Sequence, residues 1–359
     1  MISTPIRRLP TRYFALLVKA LVAQGVDTSR LLSMAGLDED HFYTRDGTLT
    51  PIEVDAFINA VNRLTGREDL GFELGVLIKM NSHDLLGYGM LSCRNLHHVI
   101  CLASRHYHLM TETFTLRYHR RPGSPGEAVY TPAIAMPEAT LRFCLEALAL
   151  AHYNQVRLLL GAAVPTYDIY MSMSEPGHVH RYHALAPAQF HFCPHELPGV
   201  RVVMGADLLD EPLPLRDDQV VSQVDERCSA LGSRPAPSRF GWGEYVEMVL
   251  RSADGEQVTL EDLARRLNIS ARTIDRHLKA ENVGFRELSE KVRFDLACEM
   301  MRIPGATVGQ VALKLGFSDT ANFSRAFRRV VGVTPTEYLH SGAPAFTVST
   351  KPRSSVSST

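Results

Sequence analysis

Two groups of residues in this chain have types and spacings that could do chemistry. One is compact: His178, His180, His183, His191, Cys193 and His195. His-x-His-x-x-His and His-x-Cys-x-His are spacings a metal ion can use, and imidazoles titrate near neutral pH, so this cluster suits metal coordination or proton sensing. No carboxylate or second cysteine completes a compact ligand set, and the neighbouring aromatic and proline residues suit a turn and a strand instead. The other group falls on two short stretches: Arg272, Thr273, Asp275, Arg276 and Lys279, then Thr320, Ala321, Asn322, Ser324, Arg325, Arg328 and Arg329. Arginine reads guanine, asparagine reads adenine, and hydroxyls and spare arginines hold phosphates, so this set suits the major groove of DNA. Catalysis has no comparable candidate. Gly-x-Ser-x-Gly, the Walker loop, Gly-x-Gly-x-x-Gly and His-Glu-x-x-His are all absent, and Gly87-Tyr-Gly89 is too short to cradle a phosphate. The expectation is a protein that is not an enzyme and carries no cofactor or resident metal.

The second group needs elements to present it, and the sequence writes them twice. TLEDLARRLNISARTIDRHLK opens one copy at Thr259, and TVGQVALKLGFSDTANFSRAFRR opens the other at Thr307. Leu260, Leu263, Ala264, Leu267 and Ile269 match Val308, Val311, Ala312, Leu315 and Phe317 at an offset of 48. Ile274 and Leu278 match Phe323 and Phe327 at 49, which implies one inserted residue. Each copy reads as helix-turn-helix. Thr259 and Thr307 stand where an N-cap is wanted, with Asp262 in a capping-box position. Asn268 and Gly316 suit the left-handed residue that ends a helix. Ser270 and Ser318 are the expected caps of the second helices, whose inward faces are Ile274 and Leu278 or Phe323 and Phe327. The Arg/Asn/Ser/Thr set is then the outward face.

These residues resemble the AraC/XylS-type transcription regulators. GFSDTANFSRAFRRVVGVTPTEY, from Gly316 to Tyr338, follows that family's signature almost residue for residue. Its exit is also sound locally, with Thr334 as cap, Pro335 at the first helical position and Glu337 three residues after the cap. The resemblance implies two helix-turn-helix units joined by a rigid helix, placing recognition helices in successive major grooves. The joining helix is expected at Phe285 to Met301, with Leu288, Val292 and Leu296 in line and Ala297 and Met300 beside them. About fifteen residues span about 22 Å. The N-terminal region resembles the arabinose-binding-type effector domain, through GVDTSRLLSMAGL, LTGREDLGFELGVL, LLGYGMLSC and RYHALAPAQFHFCPHELPGVRVVMGADLLDEPLP. That resemblance implies effector binding and self-association but names no ligand.

The expected architecture is an α+β effector-binding and dimerisation domain over residues 1–231, a linker over 232–241, an all-α DNA-binding domain with two helix-turn-helix units joined by a helix over 242–340, and a disordered tail over 341–359. Within the first domain, helices are expected near Thr11–Gln24, after Asp27, from Thr50-Pro51, at Asn95–Met110, Pro137–Leu160 and Asp217–Leu231. Strands are expected around Phe114, Ala128, Tyr167 and Arg201, and a close-packed loop or strand at Leu85–Leu91. Arg94, His106 and His108 are candidate effector anchors, and apolar helical surface between residue 137 and the linker is a candidate pairing face.

The 359 residues are 45% hydrophobic and 21% charged with a net charge of −1, which describes a chain with ample core. The charge is uneven. Residues 1–234 hold 21 Lys+Arg against 25 Asp+Glu, and residues 302–340 hold 5 against 2. Nonspecific DNA affinity should therefore be modest and base contacts correspondingly important. Six scattered cysteines without Cys-x-x-Cys read as free thiols in a reducing compartment. Lys19 interrupts the apolar run that follows Arg7, Arg8 and Arg12, so that stretch reads as an amphipathic helix and not a signal peptide. The expected partners are double-stranded promoter DNA, a small organic effector, a second copy of the chain and, for an activator, RNA polymerase. No membrane contact is expected, and the expected location is the cytoplasm, on the nucleoid. The alternative reading is a metal- or redox-sensing regulator that uses the cluster from His178 to His195.

Overall fold

The computed structural model describes residues 7–44, 46–161, 164–232, 240–253 and 258–340. Most of the expected linker and the whole expected tail lie outside the described residues. The chain groups into two compact units, one running up to Phe240 and the other formed by most of the residues from Gly241 onward.

The first unit is mixed α and β. It begins with β1 (Leu9–Pro10), α1 (Thr11–Ala23), α2 (Thr28–Met34), α3 (Glu39–Phe42), β2 (Thr48–Leu49), α4 (Pro51–Thr65) and α5 (Leu70–Leu77). Local signals set these starts. The Asp27 and Asp38 carboxylates accept from the backbone N–H groups of Arg30 and His41, and Thr50 and Glu53 close a capping box. The core face of α1 is Tyr13, Phe14, Leu17, Val18 and Leu21. Next come α6 (Asp84–Leu91) and α7 (Leu96–His106). Leu85–Leu91 is thus a helix and not the expected loop or strand. Gly87 and Gly89 serve close packing: a Cβ on Gly87 would lie 1.9 Å from the Met80 carbonyl oxygen, and one on Gly89 would lie 2.6 Å from a Val224 methyl.

The sheet is built from β3 (Phe114–Arg120), β4 (Gly126–Pro132), β5 (Tyr167–Met171), β6 (Ala188–Phe192) and β7 (Val200–Met204), interspersed with α8 (Glu138–Leu160) and α9 (His180–His183). Its order is β3-β4-β7-β5-β6, parallel between β5 and β6 and antiparallel elsewhere. The unit ends with α10 (Ala206–Asp210) and α11 (Asp218–Ala230). Helix α8 runs through the core with residues such as Leu145, Ala149, Leu150 and Val156 buried, and Leu158 is the one large hydrophobic of α8 that is exposed. Its apolar surface is spent inside the unit, so α8 offers little of the expected pairing face. All six cysteines are free; Cys101 and Cys193 are half-buried and the other four buried.

The second unit is all-helical: α12 (Trp242–Ser252), α13 (Leu260–Leu267), α14 (Ala271–Ala280), α15 (Phe285–Met301), α16 (Val308–Lys314), α17 (Thr320–Val331) and α18 (Pro335–His340). The sequence patterns had not singled out α12. Its N-terminal N–H groups at Trp242 and Gly243 donate to the Glu281 carboxylate, and Trp242 stacks on His277. Arg251 ties it to α15 through Asp295 and Glu299. The joining helix has the expected bounds, but its buried face differs. Leu288 and Val292 are buried, whereas Leu296 is only partly so. Phe294, Ala297, Cys298 and Met301 enter a second core with Phe323, Phe327 and Tyr338. One helix serving two cores presents a different side to each, so a single i, i+4 stripe does not describe it.

Candidate DNA-reading helices and ligand cavity

Both helix-turn-helix copies close as their local chemistry requires. Thr259 and Asp262 exchange hydrogen bonds at the start of α13, and Thr307 and Gln310 do so at α16. Asn268 and Gly316 take φ of 53° and 75°, the left-handed region that turns the chain. Ser270 caps α14 by accepting from the Thr273 N–H. Ser318 does not cap α17. The cap is Asp319, whose carboxylate accepts from the Asn322 N–H at 2.6 Å. Ser318 is therefore the inserted residue, and Asp319 stands where Ser270 stands in the first copy.

Ile274 and Leu278 or Phe323 and Phe327 are fully buried, and the candidate reading residues lie on the other faces of each helix. On α14, Arg272, Arg276 and Lys279 are exposed and Thr273 and Asp275 half-buried. Thr273 shares its hydroxyl with Ser270, and Asp275 pairs with Lys279 at 2.6 Å. On α17, Thr320, Ala321, Asn322, Arg325, Arg328 and Arg329 are exposed and Ser324 is half-buried. A relay crosses this face: Asn322 donates to Asp319 at 2.5 Å, and Arg325 donates to the Asn322 side-chain oxygen at 2.6 Å. The Asp319 carboxyl is held below the usual carboxylate range, mainly by the Asn322 backbone N–H. Arg329 pairs with Glu290 on α15.

The first unit contains a cavity of about 110 Å³ lined by residues of α1, α5, α7, α8 and the sheet. Its wall is apolar, with Phe14, Ile78, Met90, Ile100, Phe143 and Val156 among its members, and its polar groups include His83, Thr111, Tyr130, His152 and Gln155. None of the expected anchors lines it. His106 instead donates to the Asp225 carboxylate on α11 (2.6 Å), His108 donates to the Gly232 carbonyl, and Arg94 is not part of the wall. His83 is bonded on both ring nitrogens, to Tyr13 and Gln155. His152 bonds Tyr130 at 3.0 Å through Nδ1, while its buried Nε2 has no hydrogen-bond partner among the described residues. Burial pushes His83 down to about 3, helped by the Arg12 charge, and His152 down to about 4. His152 carried no sequence signal, because a single histidine within a long apolar helix reads as a core residue.

The cluster from His178 to His195 does not converge. His178 bonds Glu146, which also accepts from Tyr182, and His191 bonds Asp168 and stacks on Tyr170. His180, His183 and His195 are exposed. Burial raises the Cys193 thiol, the opposite of what a reactive thiolate needs. Among the described residues no group of three or more His, Cys, Asp or Glu side chains could hold a metal ion.

A mixed α+β domain followed by paired helix-turn-helix units defines a DNA-binding regulator. The chain belongs to the AraC family of transcription regulators: residues 25–213 match the arabinose-binding domain of AraC transcription regulators, N-terminal, and residues 263–341 match a helix-turn-helix domain. An ornithine utilization regulator of Pseudomonas aeruginosa is 26% identical over 331 residues, covering 92% of this chain and 96% of that protein. The regulator VirS of Mycobacterium tuberculosis is 34% identical over 82 residues, covering 23% of this chain and 24% of that protein. The crystal structure of the regulator CdpR from P. aeruginosa covers 87% of this chain and 96% of its own, at 20% identity and a TM-score of 0.41. These relatives are named as transcription regulators and not as enzymes. No helix among the described residues is long and apolar enough to cross a membrane.

Proposed function

We propose that this chain is a sequence-specific transcription regulator gated by a small organic effector held in the N-terminal cavity. The observation that carries the reading is an apolar cavity whose wall includes His152, a buried imidazole with one ring nitrogen unpartnered among the described residues, on the same chain as two helices with exposed Arg, Asn and Thr residues. A cavity with convergent polar groups is the ordinary form of a small-molecule site. In this reading Arg272, Asp275 and Arg276 face one major groove and Ala321, Asn322 and Arg325 the next. Thr273, Lys279, Thr320, Ser324, Arg328 and Arg329 hold phosphates, with Arg329 exchanging Glu290 for DNA. The regulator works as a homodimer in the cytoplasm, at promoter DNA, and contacts RNA polymerase if it activates. The relative named for ornithine utilization suggests a catabolic setting, although the uncharged cavity wall does not suit ornithine itself.

The test starts from in vitro selection of the operator by the full chain. Operator affinity is then measured with fractionated metabolite extracts, alongside thermal stability, which rises with a bound ligand as RT ln(1 + [L]/Kd). A fraction that stabilises the protein and shifts operator affinity supports gating. Selective operator binding that no stabilising fraction changes refutes it.

A further inference from the structure

We infer that the N-terminal cavity selects an uncharged, mainly apolar ligand bearing one acceptor oxygen that receives the Nε2 proton of His152. This deepens the effector-gating reading and rests on it for its biological meaning, but its chemistry stands on the cavity alone.

Three observations carry it. The first is the wall, which contains no Lys, Arg, Asp or Glu among the described residues. A ligand carboxylate or ammonium would surrender its hydration and meet no opposite charge there. The two histidines in the wall do not supply one. Burial keeps both neutral, His83 at about 3 and His152 at about 4. The second observation is size. A site of about 110 Å³ is several times what one water needs (about 10–15 Å³) and somewhat below the roughly 150 Å³ apolar cavity that accepts benzene. A small ring or short chain fits, with limited room for a rim of hydroxyls.

The third observation fixes the polar contact. His152 is 6% exposed, and its Nδ1 lies 3.0 Å from the Tyr130 hydroxyl. The Tyr130 side chain is itself buried, and a buried hydroxyl donates its proton to an available acceptor. Nδ1 is that acceptor, so the ring proton resides on Nε2. That N–H is buried and has no partner among the described residues, a condition folded proteins rarely tolerate without a ligand or water to meet it. His83 and Thr111, by contrast, are already bonded, to Tyr13 and Gln155 and to Thr113. The open demand of the cavity is thus for an acceptor, as a ketone, ester, lactone or ether oxygen provides, in an otherwise apolar molecule.

The experiment uses the full-length protein and four probes of similar size: cyclohexanone, toluene, cyclohexylammonium and benzoate. Affinity is read by calorimetry and thermal shift for the natural chain, His152→Leu and His152→Gln. Cyclohexanone and toluene should bind the natural chain, and the two ions should not. His152→Leu should weaken cyclohexanone about tenfold, as loss of one buried hydrogen bond implies, and leave toluene unchanged. His152→Gln keeps a donor and should restore most of the loss. In the natural chain, cyclohexanone but not toluene should move the ¹⁵N resonance of His152 Nε2, a readout that does not depend on either variant folding. The inference is overturned if an ion binds more tightly than cyclohexanone, if His152→Leu weakens both neutral probes equally, or if no probe binds. Operator affinity in the same samples separates the two proposals. Probe binding of the expected pattern without any change in operator affinity refutes gating and leaves the ligand class standing. Gating by a charged metabolite in a protein that ignores cyclohexanone does the reverse.

Discussion

Truncating Arg325 to alanine should change what this protein reads and not merely how tightly it binds. Arg325 is exposed on α17, and one of its terminal N–H groups is engaged by Asn322, itself anchored on Asp319. A guanidinium has five donors in a rigid fork, so this bond still leaves a pair free to meet the O6 and N7 atoms of guanine. The relay holds the fork in place before DNA arrives, which reduces the ordering cost of the contact. A bidentate arginine–guanine pair is worth about 1–3 kcal/mol of discrimination, roughly ten- to hundredfold. Arg325→Ala should therefore lose that much on the preferred operator and become indifferent at one base pair. Asn322→Ala should erode the same position, and the double variant should lose less than the two single losses together, by about 0.5 kcal/mol or more, because the residues touch. Arg328→Ala is the contrast: it should weaken all sequences alike and reduce the salt slope by about one. The assay is fluorescence anisotropy against a panel of single-base operator variants at fixed and then varied salt. If Arg325→Ala and Arg328→Ala both lose affinity uniformly across the panel, Arg325 is a backbone contact and this reading of α17 is wrong.

Two further outcomes concern the first unit. Gly87→Ala places a methyl group 1.9 Å from the Met80 carbonyl oxygen and should cost at least about 1–3 kcal/mol through forced backbone movement. Gly177→Ala meets nothing within 4 Å and should stay within about 0.5 kcal/mol; equal denaturation midpoints for the two variants would contradict the packing of α6. His83 and His152 have folded values near 3 and 4, below the roughly 6.5 of an unfolded histidine. Between those limits the unfolded chain binds more protons, so the stability from both groups is present above about pH 6.5 and drains away as pH falls through their folded values. Melting temperature should drop between about pH 7 and pH 5, less steeply in His152→Gln, and a profile identical in both proteins would refute the buried neutral state of His152.

Much of the second unit was legible because its determinants are local. A cap involves residues three apart, an amphipathic face residues three or four apart, and a left-handed turn a single Asn or Gly, so the sequence alone determined both helix-turn-helix copies, the bounds of α15 and the exit at Thr334-Pro335. It also determined that Arg325 and Asn322 face outward, because Phe323 and Phe327 must face inward. Local reading failed where distant chain segments decide. Gly87 and Gly89 look like helix breakers until Met80 and Val224 are seen to need the space. Leu296 looks like core until α15 is seen to serve two cores on different sides. His178 and His191 look like partners of one another until Glu146 and Asp168, more than twenty positions away in the chain, accept their ring N–H hydrogen bonds. The order of the sheet, the cavity wall and the lone nitrogen of His152 belong to the same class. Burial and pairing across long separations are properties of the packed chain, and no window of neighbouring residues contains them.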